Sequence, residues 1–268
     1  MKKDFDKGVW QIFSYTYRFK IKESDVFIKT DLENALDLGI NTIKKHRLAL
    51  KRYIFKHKDF LYSYKPLPVD EDAPLVVRMM QEVTEFIDVG PMAAVAGALA
   101  DLVLEKLKTE GSKNSIVENG GEITAISEDK IYVAIYAGES TLSGKIGFKL
   151  SPAKDFPFGL GTSSGSFGRG FSFGQADAAT VVSTNATIGD AAATFIGNQV
   201  IGKDIEKSVQ AGLEAAESLE KIKGALIIRG KYAGTTGKLP EFIKITGDPS
   251  KLLEKKYDYK IDEDFIIL

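Results

Sequence analysis

The sequence predicts a layered α/β or α+β protein, a single large domain over residues 1–268 with mixed sheets covered by helices. Segments of strand period and helix period alternate in groups along the chain, and no repeat of fixed length interrupts them. Hydrophobic residues make up 44% and charged residues 27%, the balance of a globular chain long enough to bury a sizeable core.

Residues 14–29, SYTYRFKIKESDVFIK, alternate apolar and polar about Glu23-Ser24 and read as a β-hairpin. Thr30 or Asp31 is placed to cap the helix that follows through residue 57. That helix carries Lys44, Lys45, Arg47, Lys51, Arg52, Lys56 and Lys58, read as a solvated face opposite Ile43, Leu50 and Ile54. Three prolines among acids at 65–74 mark the best internal linker and the one place where the domain could subdivide. Asp72 then opens a helix, Gly90 breaks it, Pro91 starts another and Gly111 ends that one. SIVENGGEITAI reads as a strand with a turn in it, and KIYVAIYAG with KIGFKLSP completes a three-strand meander. Beyond the Gly-Ser stretch at 161–174 come a small-residue segment, an amphipathic helix over 203–222, the buried strand ALIIRG, and edge strands in EFIKITGD and YKIDEDFIIL.

Composition removes several functions. A net charge of −1 gives no field for nucleic acid or an anionic membrane. The absence of cysteine excludes disulfides, thiolate metal sites, a cysteine nucleophile and a persulfide carried on this chain. No apolar run approaches the roughly 18 residues of a membrane span. Asp4 and Asp6 interrupt what a signal-peptide core would need, so a cytoplasmic location is expected.

GTSSGSFGRGFSFG (161–174) has five Gly, four Ser and three Phe. Gly161 to Gly165 matches G-x-S-x-G, but a nucleophile elbow needs a helix next and a His downstream. The two histidines, His46 and His57, lie upstream, so a serine hydrolase is not expected. Successive Gly and Ser instead offer amides and hydroxyls to an anion. The interleaved Phe167, Phe171 and Phe173 either anchor the loop or stack on a ring.

Asn119-Gly120-Gly121-Glu122 is either a tight hairpin turn or a backbone contact to a ligand, with Glu122 an acid that the turn does not require. Asp190 and Thr194, four apart on a helix, present two oxygens to one side, as a hard cation such as Mg²⁺ demands. The alternative is that Asp190 caps a tightly packed helix. GPMAAVAGALA (90–100) permits close helix packing, and its start could also face an anion.

In their order, GPMAAVAGALAD (90–101), VENGGEI (117–123), GTSSGSFGRGFSFGQADAATVV (161–182), GDAAATFIGN (189–198) and IIRGKYAGTTGKLP (227–240) resemble the ApbE-like superfamily, the fold of FAD:protein FMN transferases. The resemblance is strongest to the smaller branch from anaerobic archaea and bacteria and spans about residues 15–245. It implies an FAD, FMN or related nucleotide against Asn119, Gly120, Gly121 and Glu122, and beside Thr162, Ser163, Ser164, Gly165 and Ser166. It also implies Mg²⁺ on Asp190 and Thr194, and transfer of FMN to a Ser or Thr of a protein acceptor. Where the transferases carry His-Ile-Ile-Asp-Pro-Arg-Thr-Gly, this chain has Gly-Phe-Ser-Phe-Gly-Gln-Ala-Asp (170–177), so the catalytic apparatus differs. Arg169 and Glu122 are the catalytic candidates left. The resemblance to the branch also implies a rival role, a non-flavin accessory or ligand-binding protein in anaerobic sulfur assimilation and homocysteine formation.

Overall fold

The computed structural model describes residues 13–165, 174–246 and 258–261. Ser166, Phe167, Arg169, Phe171 and Phe173 lie outside the described residues.

Strands β1 (Tyr15–Ile21) and β2 (Ser24–Thr30) pair antiparallel from Tyr15↔Thr30 to Ile21↔Ser24. Their turn is Lys22-Glu23, one residue earlier than expected, because Ser24 is already the first strand residue of β2. Helix α1 (Ala35–Lys56) starts after Asn34, so neither Thr30 nor Asp31 caps it. Thr30 closes β2, and its hydroxyl joins the buried Ser112 and Ser115 hydroxyls at 3.4 and 2.6 Å. The Asp31 carboxylate accepts from Ser112 Oγ and from the amides of Lys113 and Asn114. Burial works to raise its pKa, and these donors outweigh that and hold it below the usual range.

A short helix, α2 (Asp59–Tyr62), leads into the Pro-rich connection. Tyr53 Oη donates to Asp70 (3.0 Å), and Gln81 Nε2 donates to the Pro68 carbonyl (2.7 Å), so this stretch is tied to helices on both sides. Helix α3 (Leu75–Ile87) begins after Pro74 rather than at Asp72. A 3₁₀ turn, Pro91–Ala94, feeds α4 (Val95–Thr109), with Pro91 in the first-turn position expected of it.

Strands β3 (Ser115–Asn119) and β4 (Glu122–Ile126) form a hairpin closed by Gly120-Gly121. The expected meander does not form. β4 gives its second edge to β7 (Phe158–Ser163), while β5 (Ile131–Ala134) and β6 (Ile146–Leu150) pair with each other in a separate sheet. After the short α5 (Pro152–Asp155) and β7 come β8 (Ala178–Ser183), α6 (Ala186–Gly197), α7 (Ile205–Glu217) and β9 (Gly224–Arg229). β10 (Tyr232–Gly237), β11 (Glu241–Lys244) and β12 (Tyr259–Ile261) complete the described chain.

Nine strands form one sheet in the order β10-β9-β8-β7-β4-β3-β2-β1-β12, antiparallel except for β1 with β12. A second sheet has the order β11-β6-β5. The fold is therefore the α+β alternative. Alternate residues along the large sheet feed two cores, as the two-residue strand period requires. Phe19, Ile28, Val117, Val181 and Ile227 meet the helices on one side. Leu160, Val182, Leu226 and Ile228 meet Val133, Phe148 and Leu150 of the small sheet on the other. Among the described residues no single helix is long and apolar enough to cross a membrane; α3 and residues 91–109 pass that test only as a pair bent by 106°.

Candidate functional site

Three chain segments far apart in sequence meet at the ends of β3, β4 and β7. The Asn119↔Glu122 pair leaves two residues in the turn, with φ of +74° at Gly120 and +126° at Gly121. Only glycine adopts such values without strain, so the Gly-Gly turn is required by the hairpin itself. Asn119 is buried, and its Nδ2 donates to the Ala96 carbonyl at 3.0 Å. Its side chain is thus turned towards the start of α4.

Gly161, Thr162 and Ser163 are the last residues of β7 rather than a free loop. Thr162 Oγ1 lies 3.2 Å from Thr180 Oγ1 on β8, and the Gly165 amide donates to the Ala176 carbonyl at 2.9 Å. The next described element is β8, not a helix, and His46 and His57 sit on or just beyond α1. The hydrolase arrangement is therefore absent among the described residues.

Helix α6 supplies the floor. Asn185 caps it by accepting from the Ile188 amide at 2.9 Å, so Asp190 is an interior residue and not the cap. Asp190, Thr194 and Asn198 recur every fourth residue and line the same cleft. Asp190 Oδ2 accepts from the Gly97 amide at 2.9 Å, and the Ala96 amide also donates to this carboxylate. These amides belong to the first turn of α4, so the dipole end expected to meet an anion is met by Asp190. Close packing explains the small residues of α4. A Cβ on Gly97 would lie 2.3 Å from the Ala186 carbonyl oxygen, and one on Gly161 would lie 2.1 Å from the Gly189 carbonyl carbon.

Asn119, Gly120, Gly121, Glu122, Thr162, Ser163, Ser164, Asp190 and Thr194 all line one cleft of about 1990 Å³. That exceeds the roughly 300–1,000 Å³ of an ordinary small-molecule pocket. Gly165 does not line the cleft. The outer part of the cleft is bounded by α1 and β5, including Arg47, Lys51, Lys58 and Tyr132. The basic face of α1 is therefore only partly a solvated face. Arg47 reaches back to the β1–β2 hairpin, where it donates to Ser24 Oγ at 3.0 Å and pairs with Glu23.

Electrostatics single out the inner end. Burial pushes the Glu122 carboxyl well above its usual range, and the nearby Asp190 carboxylate adds to this against the Thr162 amide that donates to it. Burial likewise pushes Asp190 up to about 7, against the Gly97 and Ala96 amides, with Asp101 adding to the rise. Glu122 is buried and Asp190 partly buried, and two neighbouring carboxyls raised in this way are the environment that a hard divalent ion relieves. Among the described residues no three His, Asp or Glu side chains converge as a metal centre. A cation here would take Asp190 and Thr194 and fill its remaining positions with main-chain carbonyls, water or ligand oxygens.

Sequence reasoning passed over Asp101 and Asn198. Asp101 is a lone acid inside the apolar run GALADLVL, and that isolation is the signal that could have found it. Asn198 continues the four-residue spacing of Asp190 and Thr194.

Comparison with known proteins bears on the family and the fold. A family model described as AbpE bacteria matches residues 11–229. A UPF0280 protein of Methanococcus maripaludis strain C7 is 43% identical over 228 residues, covering 85% of this chain and 92% of its own. A UPF0280 protein of Methanocaldococcus jannaschii is 40% identical over 228 residues, with the same two coverages. Among solved structures, the ApbE protein of Thermotoga maritima aligns with a TM-score of 0.52 at 13% identity, over 90% of this chain and 99% of its own. The apo flavinyl transferase ApbE of Pseudomonas stutzeri aligns with a TM-score of 0.50 at 15% identity, over 83% and 93%. At such identities the two structures establish the shared fold.

Proposed function

The chain belongs to the family described as AbpE bacteria, and from that premise we propose that it binds a flavin-type nucleotide, FAD first, at the inner end of the cleft. A divalent cation such as Mg²⁺ would be held there by Asp190 and Thr194. The observation that carries this reading is the convergence of residues 119–122, 162–164, Asp190 and Thr194 on one cleft, with the raised carboxyls of Glu122 and Asp190 at its inner end. When bound, the cation supplies charge neutralisation to a pyrophosphate. The chain's own part is to present Ser163, Ser164 and the Gly120-Gly121 backbone to the ligand and to exclude water beneath it. Glu122 stands beside the Gly120-Gly121 turn at the same end of the cleft, its carboxyl raised by burial. A Ser or Thr of a partner protein in the cytoplasm is the acceptor of FMN in this reading, and the wide outer end of the cleft gives it access.

Titrating the purified protein with FAD, with Mg²⁺ and then with EDTA, tests it. Quenching of flavin fluorescence that depends on Mg²⁺ is expected, and no binding under either condition overturns the reading. Mass spectrometry of Ser- and Thr-containing acceptor peptides after incubation with FAD tests transfer separately.

One observation favours the rival role. Gln175, in the segment that replaces the transferases' His-containing run, has its Oε1 occupied by Arg229 Nη2 (2.5 Å) and the Gly202 amide (3.2 Å). That side chain braces β9 and the α6–α7 connection instead of facing a reaction. An accessory protein that binds a nucleotide-like anion without transferring it would bind FAD or another nucleotide and leave every acceptor peptide unmodified.

A further inference from the structure

Helices α4 and α6 exchange caps. Asp101, on α4, accepts from the amides of Ala186 (3.0 Å) and Thr187 (2.8 Å) and from Thr187 Oγ1 (2.5 Å), the first turn of α6. Asp190, on α6, accepts from the Gly97 amide at 2.9 Å in the first turn of α4. Each helix thus satisfies the orphan amides of the other, at a crossing where Gly97 lies against the Ala186 carbonyl. Asn119 holds the same turn of α4 from the far side through the Ala96 carbonyl.

Asp101 is buried and does not line the cleft. It nevertheless fixes the start of the helix from which Asp190 and Thr194 project, one and two turns further on. Asp101 also accepts from the Thr124 side chain on β4, and loss of its three bonds to α6 frees the first turn of that helix to fray or shift, and with it the spacing of the Asp190 and Thr194 oxygens from the β7 strand end. We propose that Asp101 is a positioning residue for the cation and nucleotide end of the cleft, acting through the α6 N-terminus rather than by touching the ligand. This rests on the nucleotide and cation reading above. It goes beyond that reading by assigning the function of a residue outside the cleft and by making the geometry at Asp190 dependent on α4.

The test compares wild type, Asp101→Asn and Asp31→Asn. Asp31 is the matched control, since its carboxylate also gathers backbone amides, at the start of β3 and away from the cleft. Two quantities are measured on the full chain: the melting temperature in EDTA, and the rise in melting temperature and in FAD affinity that Mg²⁺ produces. Both variants are expected to lower the melting temperature in EDTA. Asp101→Asn is expected to lose about tenfold or more of the Mg²⁺-dependent FAD affinity, the scale of outer-shell changes, while Asp31→Asn keeps it. An Asp101→Asn protein with the full Mg²⁺ response overturns the proposal, because Asp101 then only holds the fold. If that variant does not fold, Thr187→Val, which removes one of the three bonds from Asp101 to α6, decides by the same readout. A wild type that binds FAD with no response to Mg²⁺ overturns the proposal and leaves nucleotide binding standing; a wild type that binds neither overturns both.

Discussion

The two walls of the cleft are built on opposite principles. The inner wall, where α4, α6 and β7 meet, brings backbone against backbone through Gly97, Gly161 and Gly189. Its polar side chains Asn119 and Glu122 are buried and hydrogen-bonded, and Asp101 is buried behind it. The outer wall carries large exposed side chains at the C-terminal end of α1 and just beyond, including Phe55 at 76%, Tyr62 at 72% and Tyr64 at 66% exposure. Small residues fix distances to within tenths of an ångström, whereas long exposed ones fix very little. The inner wall is suited to holding a ligand in one pose, and the outer wall to tolerating variation in what approaches it.

The contrast breaks most easily at its tightest point. Gly97→Val is expected to cost at least about 3 kcal/mol, read as a shifted urea midpoint, because a Cβ there meets main-chain atoms that cannot yield. A folded, equally stable variant would show that the inner wall is looser than its distances state. Asp190→Ala is next: because the cation loses a direct ligand, Mg²⁺-dependent FAD affinity is expected to fall by more than roughly a hundredfold, beyond the range of outer-shell changes.

A smaller effect concerns pH. Asp101, Glu122 and Asp190 all have carboxyl pKa values raised on folding, first by burial. For a raised acid, the unfolded chain loses its proton near pH 4 while the folded protein keeps it, so stability is full at low pH and is lost as pH rises. For Asp190 that window runs from its ordinary value of 3.8 to about 7. With metal chelated, the urea midpoint is therefore expected to decline as pH rises through that window, in addition to any other titration. Asp190→Asn is expected to flatten the decline, and an unchanged slope would sink the account. At the other extreme, Tyr62→Ala on the outer wall is expected to change stability by no more than about 0.5 kcal/mol. A larger loss in calorimetry would mean that this wall is also built to a fixed shape.

The sequence was most legible where one local rule decides the outcome. The β1–β2 hairpin followed from alternation, the 119–122 turn from Asn-Gly, and the shared face of Asp190 and Thr194 from helix period. What stayed hidden depended on distant partners. Thr30 and Asp31 read as caps for α1, yet Ser112, Ser115 and Asn114, more than eighty positions away, claim them. The β4–β5–β6 meander fitted the local pattern, but β7 takes the edge of β4 and leaves β5 and β6 to a separate sheet. Of the two readings of Asp190, cap of its own helix fails, since Asn185 caps α6 while Asp190 caps a different helix, which no short-range pattern encodes. Asp101 was missed for the same reason.

The approach of Gly161 to Gly189 also has a dynamic consequence. With no side chain between β7 and α6 at that point, neither can slide along the other without main-chain collision. The strand end bearing Thr162 and the helix bearing Asp190 can separate only by opening the whole seam. In hydrogen exchange, amides along this seam should therefore open together in the slow class, with the Gly120-Gly121 turn exchanging independently and much sooner.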